Sequence, residues 1–121
     1  MVVQLIEAEL DLKVVKTFHS GQAVLDEAAT LNFDLLILDI SMPGLNGIDV
    51  ASRLMARDSE TRIVFLTVHD DSDYLRTALA TGALGYIIKA QLATDLMPAL
   101  REALAGRRFV SRTPALAGAV D

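Results

Sequence analysis

The sequence contains no cysteine and no tryptophan, only three prolines, and 5% aromatic residues. Without cysteine there is no disulfide framework, no thiol nucleophile and no zinc–thiolate centre. Positive charge is also in deficit: eleven Lys and Arg stand against sixteen Asp and Glu, a formal net charge of −5. A surface of that sign repels phosphate backbones and anionic lipid headgroups, so direct nucleic-acid or membrane binding is not expected. No apolar run approaches the ~18 residues of a membrane span. The start of the chain lacks the basic segment and small-residue cleavage site of a signal peptide, so a cytoplasmic location is expected. What is abundant is apolar sequence, 52% of 121 residues. A chain of this size buries roughly two-thirds of its unfolded surface and needs no covalent staple.

Short apolar runs alternate with longer amphipathic stretches, the pattern of an α/β fold with a parallel sheet. Leu35 to Leu38 and Ile63 to Leu66 are apolar at consecutive positions, as strands covered on both faces require. Leu84 to Ile88 forms a third such run, and Val14-Val15, flanked by Lys13 and Lys16, suits an edge strand. Between the runs, Ala23/Val24/Ala28/Leu31, Ile48/Ala51/Leu54/Met55, Tyr74/Leu75/Ala78/Leu79 and Leu92/Leu96/Leu100/Leu104 recur at helical spacing. A further short helix is expected over about Val2 to Leu10. Pro98 is tolerated only in a first helical turn, which sets the last helix start near Thr94 to Met97. After Gly106 the periodicity decays through Arg107, Arg108, Phe109, Val110 and Ser111. We therefore divide the chain into a domain over 1–105 and an outgoing linker or tail over 106–121.

In open parallel sheets reactive groups gather beyond the carboxyl ends of the strands. There Leu35–Leu38 runs into Asp39 and the loop Ser41-Met42-Pro43-Gly44-Leu45-Asn46-Gly47, Ile63–Leu66 into Thr67, and Leu84–Ile88 into Lys89. A carboxylate can attack a phosphoryl donor, a hydroxyl can bond the transferred oxygens, and an ammonium can neutralise them. Singly, each residue has an ordinary explanation: an Asp before Pro-Gly forms turns, a strand-end Thr follows β-propensity, and a strand-end Lys is solvated. It is their succession at three strand ends that points to one site. Asp34, five residues before Asp39, falls on the opposite rim. His19 and His69 lack metal-ligand spacing. Asp70, Asp71 and Asp73 resemble the start of a calcium loop, but Leu75 and Gly82 stand where oxygen ligands are required, so a helix-capping role is expected.

Together Asp39 with SMPGLNG, Thr67 after IVFL, and Tyr86-Ile87-Ile88-Lys89 resemble the receiver domain of bacterial two-component response regulators, over about Val2 to Leu104. The tail GRRFVS resembles the segment that joins receivers of the NarL/FixJ type to a helix-turn-helix output domain. The resemblance implies a flavodoxin-like doubly wound parallel sheet of order 2-1-3-4-5 and a phosphoacceptor signalling domain rather than an enzyme. It implies a histidine kinase as partner and Mg²⁺ as cofactor. It also implies roles: Asp39 as phosphoacceptor, Thr67 as switch hydroxyl, Lys89 as phosphoryl contact, Tyr86 as aromatic switch, and Ser41 as metal ligand through its backbone carbonyl. The sequence departs from the family at its beginning, where the first, central strand and its acidic pair are missing, which thins the Mg²⁺ site. The strand at Leu35–Leu38 is then left with an open edge. Self-association through that edge, closure by Val14-Val15, or insertion of the tail over Ala115 to Val120 could each cover it. An alternative function is a phosphorylation-independent interaction module. A phosphohydrolase of the haloacid dehalogenase type would need an Asp at position 41, where Ser stands.

Overall fold

Of the 121 residues, the computed structural model describes 2–9, 11–40 and 46–116. Four strands form one parallel sheet: β1 (Leu36–Asp39), β2 (Ile63–Thr67), β3 (Gly85–Ile88) and the two-residue β4 (Phe109–Val110), in the order β1-β2-β3-β4. Among the described residues five α-helices accompany these strands: α1 (Val2–Glu7), α2 (Gly21–Glu27), α3 (Gly47–Arg57), α4 (Ser72–Ala80) and α5 (Leu92–Leu104).

Strand alternation sorts the side chains into two cores, because successive residues point to opposite faces. Leu38, Ile40, Ile63, Phe65, Tyr86 and Ile88 join Val24, Val50, Leu54 and Leu75 from α2, α3 and α4. On the other face Val64, Leu66 and Ile87 join Ile6 of α1 and Leu96, Ala99, Leu100 and Ala103 of α5. Every residue of β2 and β3 is buried, which is why their sequences carry no polar alternation. These are the two covered faces of a doubly wound α/β sheet. Arg101 on α5 pairs with Glu9 at 3.1 Å and Asp11 at 2.7 Å, holding the end of α1 to that face.

Three expectations need correction. Val14-Val15 forms no strand: residues 12–18 have no regular structure, and Val15 is 56% exposed. A strand exists only where a neighbour accepts its backbone bonds, and among the described residues β1 is hydrogen-bonded to β2 alone. Second, α5 begins at Leu92, so Pro98 lies in its interior. The stripe Leu96, Ala99, Leu100 and Ala103 is buried while Pro98 is exposed, and that burial outweighs the bond Pro98 cannot make. Third, the residues after Gly106 turn back onto the domain. Phe109–Val110 pairs with Gly85–Tyr86 as β4, and Ser111, Thr113 and Leu116 are buried. Phe109–Val110 thus adds at the β3 edge of the sheet; most of the segment Ala115 to Val120 expected to insert beside β1 lies outside the described residues.

Candidate phosphoacceptor site

The ladder register brings the three chemical side chains to one rim. Asp39, the last residue of β1, pairs with Leu66; Thr67, the last of β2, pairs with Ile88; Lys89 follows directly. The Lys89 ammonium donates to Asp39 Oδ2, an ion pair between residues 50 apart in sequence. Both side chains remain partly exposed, at 38% and 35%, so the carboxylate is reachable from solvent while a cation lies against it.

The backbone behind Asp39 is set by Gly47, the first residue of α3, whose N–H donates to the Ile40 carbonyl at 2.9 Å. A Cβ on Gly47 would lie 2.5 Å from the Asp39 carbonyl oxygen and 2.9 Å from Ile40 Cα, so only glycine permits this approach. Asn46 caps the helix, its side chain accepting from Asp49 N–H at 3.0 Å. Sequence reasoning took Asn46-Gly47 as part of the loop and missed this packing role. Ser41 lies outside the described residues.

Thr67 is fully buried. Its hydroxyl accepts from His69 N–H at 2.9 Å, and the His69 carbonyl in turn accepts from the Tyr86 hydroxyl at 2.8 Å. Thr67 and Tyr86 are therefore joined through one backbone residue. The Tyr86 ring is fully buried, and desolvation pushes its phenol up to about 12. The nearby Thr67 hydroxyl acts against that rise, and the Asp71 and Asp70 charges add to it. His69 stacks on Tyr74 with ring centroids 3.8 Å apart.

Of the three acidic residues read as helix-capping, Asp71 is the N-cap of α4, accepting from Tyr74 N–H at 2.9 Å, and Asp73 sits in its first turn, paired with Arg76. Asp70 instead accepts from the Thr113 hydroxyl, a contact 43 residues away that no local pattern announces. Among the described residues no three His, Cys, Asp or Glu side chains converge to hold a metal. With one Asp39 oxygen on Lys89, the described residues do not by themselves complete the hard-oxygen set that Mg²⁺ requires.

The chain matches the family model of the response regulator receiver domain over residues 1–101. It is 36% identical over 119 residues to the nitrate/nitrite response regulator protein NarL of Escherichia coli strain K12, covering 97% of this chain and 55% of that protein. It is 30% identical over 105 residues to the response regulator GacA of Pseudomonas viridiflava, covering 86% and 49%. The chain thus spans about half the length of the curated relatives it matches. Among solved structures it resembles the isolated REC domain of RcsB from Salmonella enterica serovar Typhimurium in the presence of phosphomimetic BeF3-. There the TM-score is 0.84 at 25% identity, over 92% of this chain and 83% of that one. It also resembles the response regulator domain of Thermotoga maritima CheB, with TM-score 0.76 and 27% identity over 86% and 85%. Fold and sequence agree: this chain belongs to the receiver-domain family of two-component response regulators.

Proposed function

We propose that the domain accepts a phosphoryl group from a histidine kinase on Asp39 and passes the change to a partner or a second copy. The observation that carries this reading is the Lys89–Asp39 ion pair at the rim where Thr67 ends the neighbouring strand. An Asp39 carboxylate oxygen forms the new O–P bond as the P–N bond of a phosphohistidine breaks, and the imidazole leaves with that electron pair. Lys89 then neutralises phosphoryl oxygens in place of the bare carboxylate, and the Thr67 hydroxyl turns to donate to one of them. Tyr86, linked to Thr67 through His69, reports that movement to the α4–β3–α5 side. Mg²⁺, the family's cofactor, would stabilise charge on the transferred group; Asp39 and the Ser41 carbonyl are the ligands this chain offers. The edge of β1 away from β2, where no strand lies among the described residues, supports self-association of the domain.

The test is incubation with phosphoramidate, whose P–N bond stands in for phosphohistidine, at increasing Mg²⁺, followed by intact-mass spectrometry. The expected result is a single phosphoryl adduct at low stoichiometry, rising with Mg²⁺ and absent from Asp39→Asn. Adduct of equal yield in Asp39→Asn would overturn the reading. A second reading, a phosphorylation-independent interaction module, is favoured by the finding that among the described residues no further carboxylates gather with Asp39 into a metal-binding cluster. No adduct at any Mg²⁺ concentration would decide for it.

A further inference from the structure

The segment after α5 is anchored to both loops that carry the site. Gly106, at φ +79°, turns the chain, and Phe109 and Ser111 N–H donate to the Leu84 and Tyr86 carbonyls at 2.8 and 2.9 Å. Beyond Val110 the backbone leaves the ladder and side chains take over. Ser111 Oγ accepts from Ile88 N–H at 3.0 Å and donates to the Asp95 carboxylate at 2.7 Å. The Gln91 amide donates to the Arg112 carbonyl at 3.0 Å, the Thr113 hydroxyl donates to Asp70, and Leu116 inserts into the core shared by Leu75 and Tyr86. Ser111 is 1% exposed, Thr113 8% and Leu116 2%. A passive linker has no reason to bury a serine and a threonine at these positions.

Each anchor stands one residue from a group of the site. Ile88, held by Ser111, precedes Lys89; Asp70, held by Thr113, follows His69, whose N–H binds Thr67. We propose that residues 107–116 are a strap whose docking is energetically coupled to the Asp39 rim, so that displacement of Thr67 or Lys89 toward a group on Asp39 loosens the strap. By linkage, loosening the strap must free the two loops by the same factor. Release of the strap would carry a change at the rim to the residues beyond it. That last purpose rests on the phosphoacceptor reading, whereas the coupling itself does not.

The experiment is hydrogen exchange, read by NMR or mass spectrometry, on the 121-residue chain without any phosphodonor. Thr67→Val deletes the acceptor for His69 N–H and should raise exchange at the Ser111 and Leu116 amides about fivefold or more. Thr113→Val should raise exchange at His69, Asp70 and Lys89 by a comparable factor. Thr67→Ser keeps the hydroxyl and should keep the strap protected. Thr81→Val, which deletes a hydroxyl that donates to the Ala78 carbonyl and accepts from Ala83 N–H and touches neither the rim nor the strap, should leave the strap unchanged. Strap exchange in Thr67→Val within twofold of wild type, or raised equally in Thr81→Val, overturns the proposal. Should Thr67→Val fail to fold, the Thr113→Val arm decides alone: unchanged exchange at His69 and Lys89 overturns it. A chain that shows this coupling yet takes no phosphoryl group would refute the proposed function and leave the strap standing; the opposite pair of results would do the reverse.

Discussion

Replacing Gly47 by alanine tests how closely the start of α3 is bound to the backbone of Asp39. The new Cβ would stand 2.5 Å from a carbonyl oxygen and 2.9 Å from a Cα, against 3.4–4 Å for ordinary contact. Both neighbours are backbone, so no rotamer relieves the clash. The helix start must move by about 0.9 Å, the difference between 3.4 and 2.5 Å. That movement lengthens the Gly47 N–H to Ile40 bond of 2.9 Å, a loss of about 1 kcal/mol. It also lifts Val50 and Ala51, both fully buried, off the sheet, for a further 1–3 kcal/mol by the usual cost of overpacking, roughly. The total is about 2–4 kcal/mol, which at a urea m-value of about 1–2 kcal/mol/M lowers the unfolding midpoint by about 1–4 M. Gly106→Ala is the control: this position holds a positive φ, which Gly47 does not, but nothing lies within 4 Å, so its loss is confined to about 1–2 kcal/mol of backbone strain. Equilibrium unfolding followed by circular dichroism gives both values. A Gly47→Ala protein within about 0.5 kcal/mol of wild type, near the ordinary scatter of surface substitutions, would refute the argument.

Other consequences are measurable in the same way. Because folding holds the Tyr86 phenol at about 12 against 10.0 unfolded, its neutral form favours the native state, and that contribution is full below pH 10 and lost as pH rises toward 12. Comparing unfolding of wild type and Tyr86→Phe from pH 8 to 12 should therefore show the wild type losing about 2–3 kcal/mol more across that window; parallel curves would contradict it. Ser111→Ala leaves the buried Ile88 N–H without its acceptor and should lower stability by about 1–3 kcal/mol, whereas a neutral effect would mean the tail does not bind the sheet as described. Leu116→Ala, at 2% exposure, should lower stability by about 2–5 kcal/mol, and denaturant unfolding that leaves its midpoint unchanged would place that side chain outside the core. Light scattering at micromolar concentration should find more than the monomer if the β1 edge pairs between copies, and a strict monomer would remove that expectation.

The sheet was readable where burial on both faces writes itself into consecutive apolar residues. Ile63 to Leu66 and Leu84 to Ile88 could hardly be anything else, and Asp39, Thr67 and Lys89 were found because each directly follows such a run. Val14-Val15 was over-read because strand propensity is local and strand formation is not: among the described residues no strand pairs with it. Phe109–Val110 was under-read for the converse reason. Two apolar residues between Arg108 and Ser111 carry almost no pattern, yet β3 offers them a free edge. Pro98 weighed more in the sequence than in the fold, since the stripe Leu96, Ala99, Leu100 and Ala103 continues through it on the buried side. The Thr113–Asp70 and Ser111–Ile88 contacts join residues 43 and 23 apart, beyond any spacing rule, and so were invisible before the chain was folded.

The central claim is that Asp39 is the nucleophile of a phosphoacceptor rim served by Thr67 and Lys89. Its most direct test is to treat the chain with acetyl phosphate and Mg²⁺, reduce any acyl phosphate with borohydride, and sequence the peptides by tandem mass spectrometry. Borohydride converts a phosphorylated aspartate to homoserine, so the modified residue is identified rather than inferred from total mass. The account predicts homoserine at position 39 alone, in reduced amount in Lys89→Ala and absent when acetyl phosphate is omitted. Homoserine at Asp70, Asp71 or any other aspartate in place of Asp39, or none in the wild-type chain, would contradict it.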